Sequence, residues 1–359
     1  MNKKITKILT ALTLGLTLFG LSACSTNGPK ADKPAAKVVQ TPIEDTQFLM
    51  GTVVQIKIYN ENKKMALKDA FDRVKVLADK ITVNQKGSEV DAVNNQAGVK
   101  PVKVSADILR LIKRAIYFSK NSEGSFDLAI GPITSLWHIG FDDARKPSQA
   151  EIDRELKFVN YKNVVLDEKK RTVFLKQKGM KLDLGGIAKG YIADEVVKVL
   201  KKDGVNTAIV DLGGNIFVMG TSPTGKNKPW TVGIQDPESP RGTSLGKLPA
   251  SNQTIVTSGI YERYLKVGNK TYMHLMNPKT GYPFDNNLMG VSIITKKSIN
   301  GDGLSTATFD KGLKEGLKYI ESKKDTEAIF VTKDHKVYIT SGLKGKFELL
   351  PDVKYTLVK

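Results

Sequence analysis

The chain predicts an α+β fold, a mixed architecture of antiparallel and mixed sheets with flanking helices in one large domain that has room for two subdomains. Three observations lead there. Segments of alternating apolar and polar residues rich in β-branched types are interleaved with amphipathic segments of helical period. Several of the strand-like runs come in pairs around turn residues, which favours hairpins over a doubly wound parallel sheet. The chain also shows no tandem repeat, although "DLGG" occurs twice, at 183 and at 211, each time after a strand-like run.

The N-terminus is set apart first. Lys3, Lys4 and Lys7 precede "ILTALTLGLTLFG", a charged start and an apolar run too short to span a bilayer comfortably, and "LSAC" follows. Residues 1–23 therefore read as an export signal. Cys24, the only cysteine in the chain, reads as the acylated first residue of a lipoprotein held by its lipid at the outer face of the cell membrane. No intrachain disulfide is then available, so the folded part depends on its own core. Residues 24–43 are rich in Pro, Ala, Lys and Ser/Thr without apolar period and read as a tether. The folded domain is expected over 44–359, with folding beginning near Glu44.

From there the elements follow in order. "TQFLMGTVVQIKIYN" (46–60) alternates and reads as a strand; Leu67, Ala70, Phe71, Val74, Leu77, Ala78 and Ile81 recur at spacings of three and four, an amphipathic helix over 64–82. A second helix starts at Ser105 or Asp107 and stops at Gly124. A loop with Pro132 and Trp137 leads to a short helix near 148–157, and "NVVLDEKKRTVFLK" reads as a hairpin. "GYIADEVVKVLKKDG" is helical to Gly204, "NTAIVDLGGNIFVMG" is strand, turn, strand, and a Gly/Pro-rich stretch occupies 221–249. "SNQTIVTSGIYERYLKVGNKTYMHLMNP" reads as paired strands; the last third predicts a strand at 290–295, a helix near 302–322, a strand at 327–332 and a hairpin at 336–348.

The formal charge is +19. For an exported chain this favours polyanionic envelope surfaces or phosphate-bearing ligands over nucleic acid, and the scatter of the lysines makes most of them solvating surface. Three histidines far apart in sequence and a lipid-bound Cys24 argue against zinc. "GTSPTGKN" (220–227) has Asn227 where a P-loop needs Ser or Thr, and "KPW" follows instead of a helix, so it reads as a turn.

"KLDLGGIAKGYIAD" (181–194) carries more. Gly185 and Gly186 let the backbone approach a ligand, the helix that follows would aim N–H groups at an anion, Lys189 adds charge in the first turn, and Asp183 at a strand end could accept hydrogen bonds. Alone, the stretch fits a plain strand-to-helix turn equally well. In "NGDGLSTATFDKGL" (300–313), Asp302 and Thr306 are four apart and share a face if helical, an oxygen pair suited to magnesium and its phosphate ligands, or simply a helix cap and a packed threonine. His274 on a strand could be structural, yet its ordinary pKa makes it the best-placed group for proton transfer.

"FLMGT", "GSFDLAIGPITSLW", "KLDLGGIAKGYIAD", "VDLGGNIFVMG", "TSGIYER", "HLMNPKTGYP" and "DGLSTATF" occur in the order found in the ApbE family of FAD:protein FMN transferases, which the chain resembles from about Gln47 onward. The resemblance implies an enzyme that takes FAD as substrate, uses Mg2+, and moves FMN onto a Thr or Ser hydroxyl of a protein acceptor, releasing AMP. It implies magnesium between Asp302, Thr306 and the Gly186 carbonyl, with Ser305 close by; relatives often carry Ala at the Gly186 position. It implies FAD contacts from Met50, Ser125, Phe126, Asp127, Asp183, Lys189, Thr257 and Leu275, with a contribution from 84–88. His274 or Asp302 is expected to accept the attacking hydroxyl's proton. The acceptor would carry a motif similar to D-G-x-(S/T)-G-A-(S/T) on an exported or membrane-embedded electron-transfer protein. Two other readings use the same features: a magnesium-dependent FAD pyrophosphatase giving FMN and AMP, and a non-catalytic flavin-binding lipoprotein.

Overall fold

The described residues, 37–358 of a computed structural model, open on a hairpin: β1 (Val38–Leu49) and β2 (Thr52–Asn60), joined by Met50–Gly51 with φ of 55° and 67°. Positive φ at both centre positions is what a two-residue hairpin matched to strand twist requires. The run 46–60 is therefore two strands and not one, and β1 takes in Val38–Pro42, which composition assigns to the tether. The expected signal segment, Cys24 and the tether up to residue 36 lie outside the described residues. Among the described residues no helix is long and apolar enough to cross a membrane.

Helix α1 (Lys64–Ile81) buries Leu67, Ala70, Phe71, Val74, Leu77 and Ile81, the stripe its period marks. Then come α2 (Glu89–Asn95), capped by Ser88, β3 (Val102–Lys103), and α3 (Ala106–Asn121), whose cap is Ser105 and not Asp107. The expected loop at 131–137 is instead α4 (Gly131–Trp137), because Pro132 falls in the first turn, where its missing N–H costs nothing. Ser148 and Glu151 form a capping box on α5 (Gln149–Leu156), and β4 (Val164–Asp167) pairs with β5 (Thr172–Leu175) as the expected hairpin.

Helix α6 (Gly185–Lys202) leads to β6 (Ala208–Leu212), β7 (Asn215–Met219), β8 (Trp230–Gln235), β9 (Ser244–Ala250) and β10 (Gln253–Gly259). The Gly/Pro-rich stretch thus holds two strands, while 221–229 is the turn expected of "GTSPTGKN". The chain closes with β11 (Tyr264–Val267), β12 (Lys270–Met273), β13 (Leu288–Thr295), α7 (Ser298–Glu321), β14 (Glu327–Thr332), β15 (Lys336–Ile339), β16 (Glu348–Leu349) and β17 (Thr356–Leu357). No hairpin spans 336–348: β15 pairs with β14 and β17, and β16 leaves to join β9.

Nine strands form the main sheet in the order β1-β2-β6-β7-β10-β13-β14-β15-β17, antiparallel except for the parallel β15/β17 edge. One face packs α1, α3, α6 and α7 over Ile56, Val210, Ile293 and Phe330. The other carries the small β16-β9-β8 sheet, with Trp230, Ile234 and Leu248 against Ile255, Ile294 and Ile329. Covered on both faces, β13 is buried at all eight positions, which is why "LMGVSIIT" scarcely alternates. A third cluster, Ile133, Trp137, Ile152, Tyr272 and Met276, fastens α4 and α5 to β12 and the segment after it. There the Trp137 indole donates to the Gly281 carbonyl at 2.9 Å, the partner a buried indole N–H needs.

Candidate active site

The site is built where α6 and α7 touch. Gly186 and Gly190, one turn apart on α6, face Asp302 and Thr306, one turn apart on α7. A Cβ at Gly190 would fall 2.3 Å from the Ser298 carbonyl oxygen and 2.8 Å from Asp302 Cβ, so only glycine permits the approach. The Gly190 N–H donates to Asp302 Oδ2 at 2.8 Å. A regular helix directs that N–H to the Gly186 carbonyl, which therefore competes with the carboxylate for it. A Cβ at Gly186 would stand 3.2 Å from both Thr306 Oγ1 and Phe126 Cε2, placing that backbone, hydroxyl and ring side by side. The expectation that Asp302 and Thr306 share a helical face holds. Asp302 is not the cap of α7, which begins four residues earlier.

That start is capped from outside. Asp194, the last residue of the "KLDLGGIAKGYIAD" stretch, accepts from the Ser298 and Ile299 N–H groups at 2.8 and 3.1 Å, locking the register of α7 on α6. From β10, Ser258 donates to Ser305 Oγ at 2.8 Å, Ser305 donates to the Asp302 carbonyl at 2.8 Å, and Thr257 shares a 2.7 Å hydrogen bond with Ser292. Burial pushes the Asp302 carboxyl above its ordinary range, against the pull of Lys189 and of the Gly190 and Lys189 amides. A buried carboxylate with one ammonium in reach is a group that a cation would relieve.

The entry to α6 differs from expectation. Asp183 does not end a strand, since Lys181 makes only an isolated bridge to Ile130. Its carboxylate works on the protein: Oδ1 accepts from the Gly185 N–H at 2.8 Å and Oδ2 from the Thr134 hydroxyl at 2.7 Å. Asn94 clamps the preceding residue on both sides, accepting from the Leu182 N–H at 2.7 Å and donating to its carbonyl at 3.1 Å. Gly185 and Gly186 are already helical, Ile187 and Ala188 both donate to the Leu184 carbonyl, and Lys189 lies in the second turn. Most first-turn donors are thus taken within the chain, and the cradle's positive charge comes chiefly from Lys189.

The Lys189 ammonium acts on three groups at once, Asp302, Asp211 and His274. His274 lies just past β12, half-buried. Its backbone N–H donates to the Arg263 carbonyl at 3.1 Å and its Nδ1 lies 3.2 Å from the same oxygen. A carbonyl only accepts, so Nδ1 carries the proton and Nε2 keeps the lone pair. Removal from water, with Lys189 and Arg263 adding repulsion, pushes His274 down to about 4 and leaves it neutral at pH 7. Arg263 donates to the Gly51 carbonyl at 3.0 Å, which brings the Met50–Gly51 turn to the same corner.

Other expected contacts are placed differently. Asp127 is buried with both oxygens engaged, accepting from the Ala129 N–H at 2.8 Å and the Tyr161 N–H at 2.9 Å, and burial pushes it up to about 6. Its carboxylate pins the 124–131 loop, while Phe126 is the residue of that loop against Gly186. Ser125 and Leu275 are buried beside Phe126 and His274 in the chain, and the Leu275 carbonyl accepts from the Phe284 N–H at 2.9 Å. In the 84–88 segment Ser88 caps α2. Asn94, Asp194, Ser258 and Arg263 escape sequence reasoning because each acts on backbone or hydroxyls far along the chain. Only Asp194, Ser258 and Arg263 had a signal, lying inside the quoted motifs.

A model of the ApbE family matches residues 50–330. The chain is 38% identical over 302 residues to an FAD:protein FMN transferase of Klebsiella pneumoniae, covering 84% of this chain and 93% of that protein. It is 31% identical over 326 residues to one of Treponema pallidum, covering 87% and 90%. Among solved structures, the ApbE protein of Thermotoga maritima matches with a TM-score of 0.79 at 29% identity, over 85% of this chain and 99% of that one. The flavin transferase ApbE from Vibrio cholerae matches at 0.74 and 25% identity, with the same coverage.

Proposed function

The chain belongs to the ApbE family, and on that premise we propose that it transfers the FMN half of FAD to a Ser or Thr hydroxyl of a protein acceptor, releasing AMP. The observation that carries the reading is the α6–α7 seam, where Asp302 and Thr306 face Gly190 and Gly186, with Lys189 acting electrostatically on both Asp302 and a neutral His274.

The residues fit magnesium. Asp302, the Thr306 hydroxyl and the Gly186 carbonyl are hard oxygen donors, and few carboxylates are needed where a substrate pyrophosphate supplies further oxygens. Ser305 is already hydrogen-bonded on two sides and serves better to orient Asp302 than to ligate. Bound there, the ion would neutralise charge on the pyrophosphate and favour departure of AMP. Lys189 supplies a second positive charge to the same phosphates. His274 Nε2 takes the proton of the acceptor hydroxyl, its oxygen bonds to the FMN phosphorus, and the bond from that phosphorus to the bridging oxygen breaks, leaving with AMP. Asp302 is the weaker base candidate, its Oδ2 being held by the Gly190 N–H. Phe126 against Gly186 keeps water from that side of the cradle.

The N-terminal pattern supports placement outside the cytoplasm on a lipid carried by Cys24, with acceptors among exported or membrane-embedded electron-transfer proteins. The direct test incubates full-length protein with FAD, magnesium and a tagged domain bearing the D-G-x-(S/T)-G-A-(S/T) motif and weighs the domain intact. A gain of one FMN phosphoester, lost on chelation, is expected. AMP release without that gain would make the protein a pyrophosphatase, and full activity of Asp302→Ala at limiting magnesium would overturn the metal site. His274→Ala should lose on the order of 10²–10⁴-fold in transfer rate.

A further inference from the structure

Residues 300 and 304 lie on the face of α7 opposite to Asp302 and Thr306, as helical period requires. There α3 and α7 leave a cavity of ≈ 170 Å³ lined by, among others, Arg114, Tyr117, Asn300, Tyr319, Lys323 and Lys324. Among the described residues no Asp or Glu lines it. Arg114 is half-buried and has a neutral partner: Nε and Nη2 donate to Asn300 Oδ1 at 3.2 and 2.7 Å. Its guanidinium stacks over Tyr117 at 4.0 Å and Phe118 at 4.7 Å. A partly desolvated cation without a counter-charge is costly unless something anionic completes it. Burial does lower the Arg114 pKa, with Tyr117 opposing the fall. Lys323 lies 4.3 Å from the Tyr319 ring centre, and the Tyr319 hydroxyl is buried with no hydrogen-bond partner among the described residues.

The geometry points to a second anion site in this groove, taking a phosphate dianion, free or as a phosphomonoester. The Arg114 fork matches paired phosphate oxygens, Lys323 and Lys324 balance the second charge, and the Tyr319 hydroxyl gains an acceptor. The cavity suits a phosphate group with a few waters and is smaller than the range that holds drug-sized ligands, about 300–1,000 Å³, so a dinucleotide is excluded. The site is independent of the seam in front of α7 and does not rest on the transferase reading.

Calorimetric titration of full-length protein with inorganic phosphate, against chloride at constant ionic strength, tests it. Saturable binding is expected, weakened at least about tenfold by Arg114→Gln, as loss of a charge-assisted pair implies. It should weaken severalfold in the Lys323→Gln, Lys324→Gln double variant, whose positions lie outside the core, and stay unchanged in Lys189→Gln. A parallel titration with AMP distinguishes the sources: sensitivity to Arg114→Gln extends the site to phosphomonoesters, and insensitivity confines it to free phosphate. No saturable phosphate binding, or binding lost in Lys189→Gln and kept in Arg114→Gln, would overturn the proposal.

Discussion

The two copies of "DLGG" do opposite things with the same four residues. At 183–186 the glycines take ordinary helical φ and open α6, and Asp183 holds the Gly185 N–H two residues on. At 211–214 both glycines lie at positive φ, 65° and 89°, in the two-residue turn between β6 and β7, and Asp211 holds the Gly214 N–H three residues on. Context decides between them. The second copy is followed by "NIFVM", which pairs back antiparallel; the first by "IAKGYIADEVV", which can only propagate as a helix. The first pair opens a helix at ordinary φ, with Gly186 beside Thr306 and Phe126, and the second serves a backbone conformation. A glycine doublet after an aspartate therefore names no structure by itself.

Substitutions can separate the two. The largest loss of stability is expected from Gly213→Ala, where strain at φ 65° adds to a Cβ only 2.2 Å from Thr52 Oγ1. Together these cost about 2–4 kcal/mol, read as a lower urea midpoint. Gly186→Ala should change stability by less than about 1 kcal/mol, since its contacts are 3.2 Å from side-chain atoms that can shift. Transfer rate should change little as well, since a methyl at that position leaves the Gly186 carbonyl in place. Equal unfolding of both variants would erase the distinction.

The aspartates sharpen it further. Asp183→Ala should lose about 1 kcal/mol with the hydrogen bonds from the Gly185 N–H and the Thr134 hydroxyl. Burial holds the Asp211 carboxyl above its ordinary range, so its ionised form weighs on the fold as pH rises through that raised value, and lower pH relieves it. Asp211→Asn should then be neutral or stabilising at pH 8 in thermal melts, and a clear loss there would sink the argument.

The smallest and most diagnostic effect concerns pH. His274 is depressed to about 4, so its neutral, proton-accepting form persists down to that region. Stability linked to it is complete above its unfolded pKa near 6.5 and is lost as pH falls through the folded value. The acid limb of kcat/KM should lie near 4 in wild type and move toward 6.5 in Lys189→Met, by only part of the gap, because burial is the larger cause.

Much of this was legible beforehand where period and spacing speak: α1, the Asp302/Thr306 face, the β4–β5 pair. What stayed hidden depends on partners distant in sequence. Nothing near Asp127 says that Tyr161 will supply an N–H and turn its carboxylate inward. Pro132 reads as a breaker until the chain is seen to start a helix there, and 46–60 reads as one strand because apolar and β-branched residues continue on both sides of Met50–Gly51. The α7 cap is invisible locally because it comes from Asp194, more than a hundred residues upstream.

The seam also dictates when activity can arise. Gly190 and Asp302 are 112 residues apart, and contacts of such span form only after much chain entropy has been surrendered. While the chain grows from its N-terminus, α6 and the first strands of the main sheet emerge before Asp302 and Thr306 do. A molecule that ends before α7, or whose α7 has not docked on α6, therefore has no Asp302 or Thr306 at the seam.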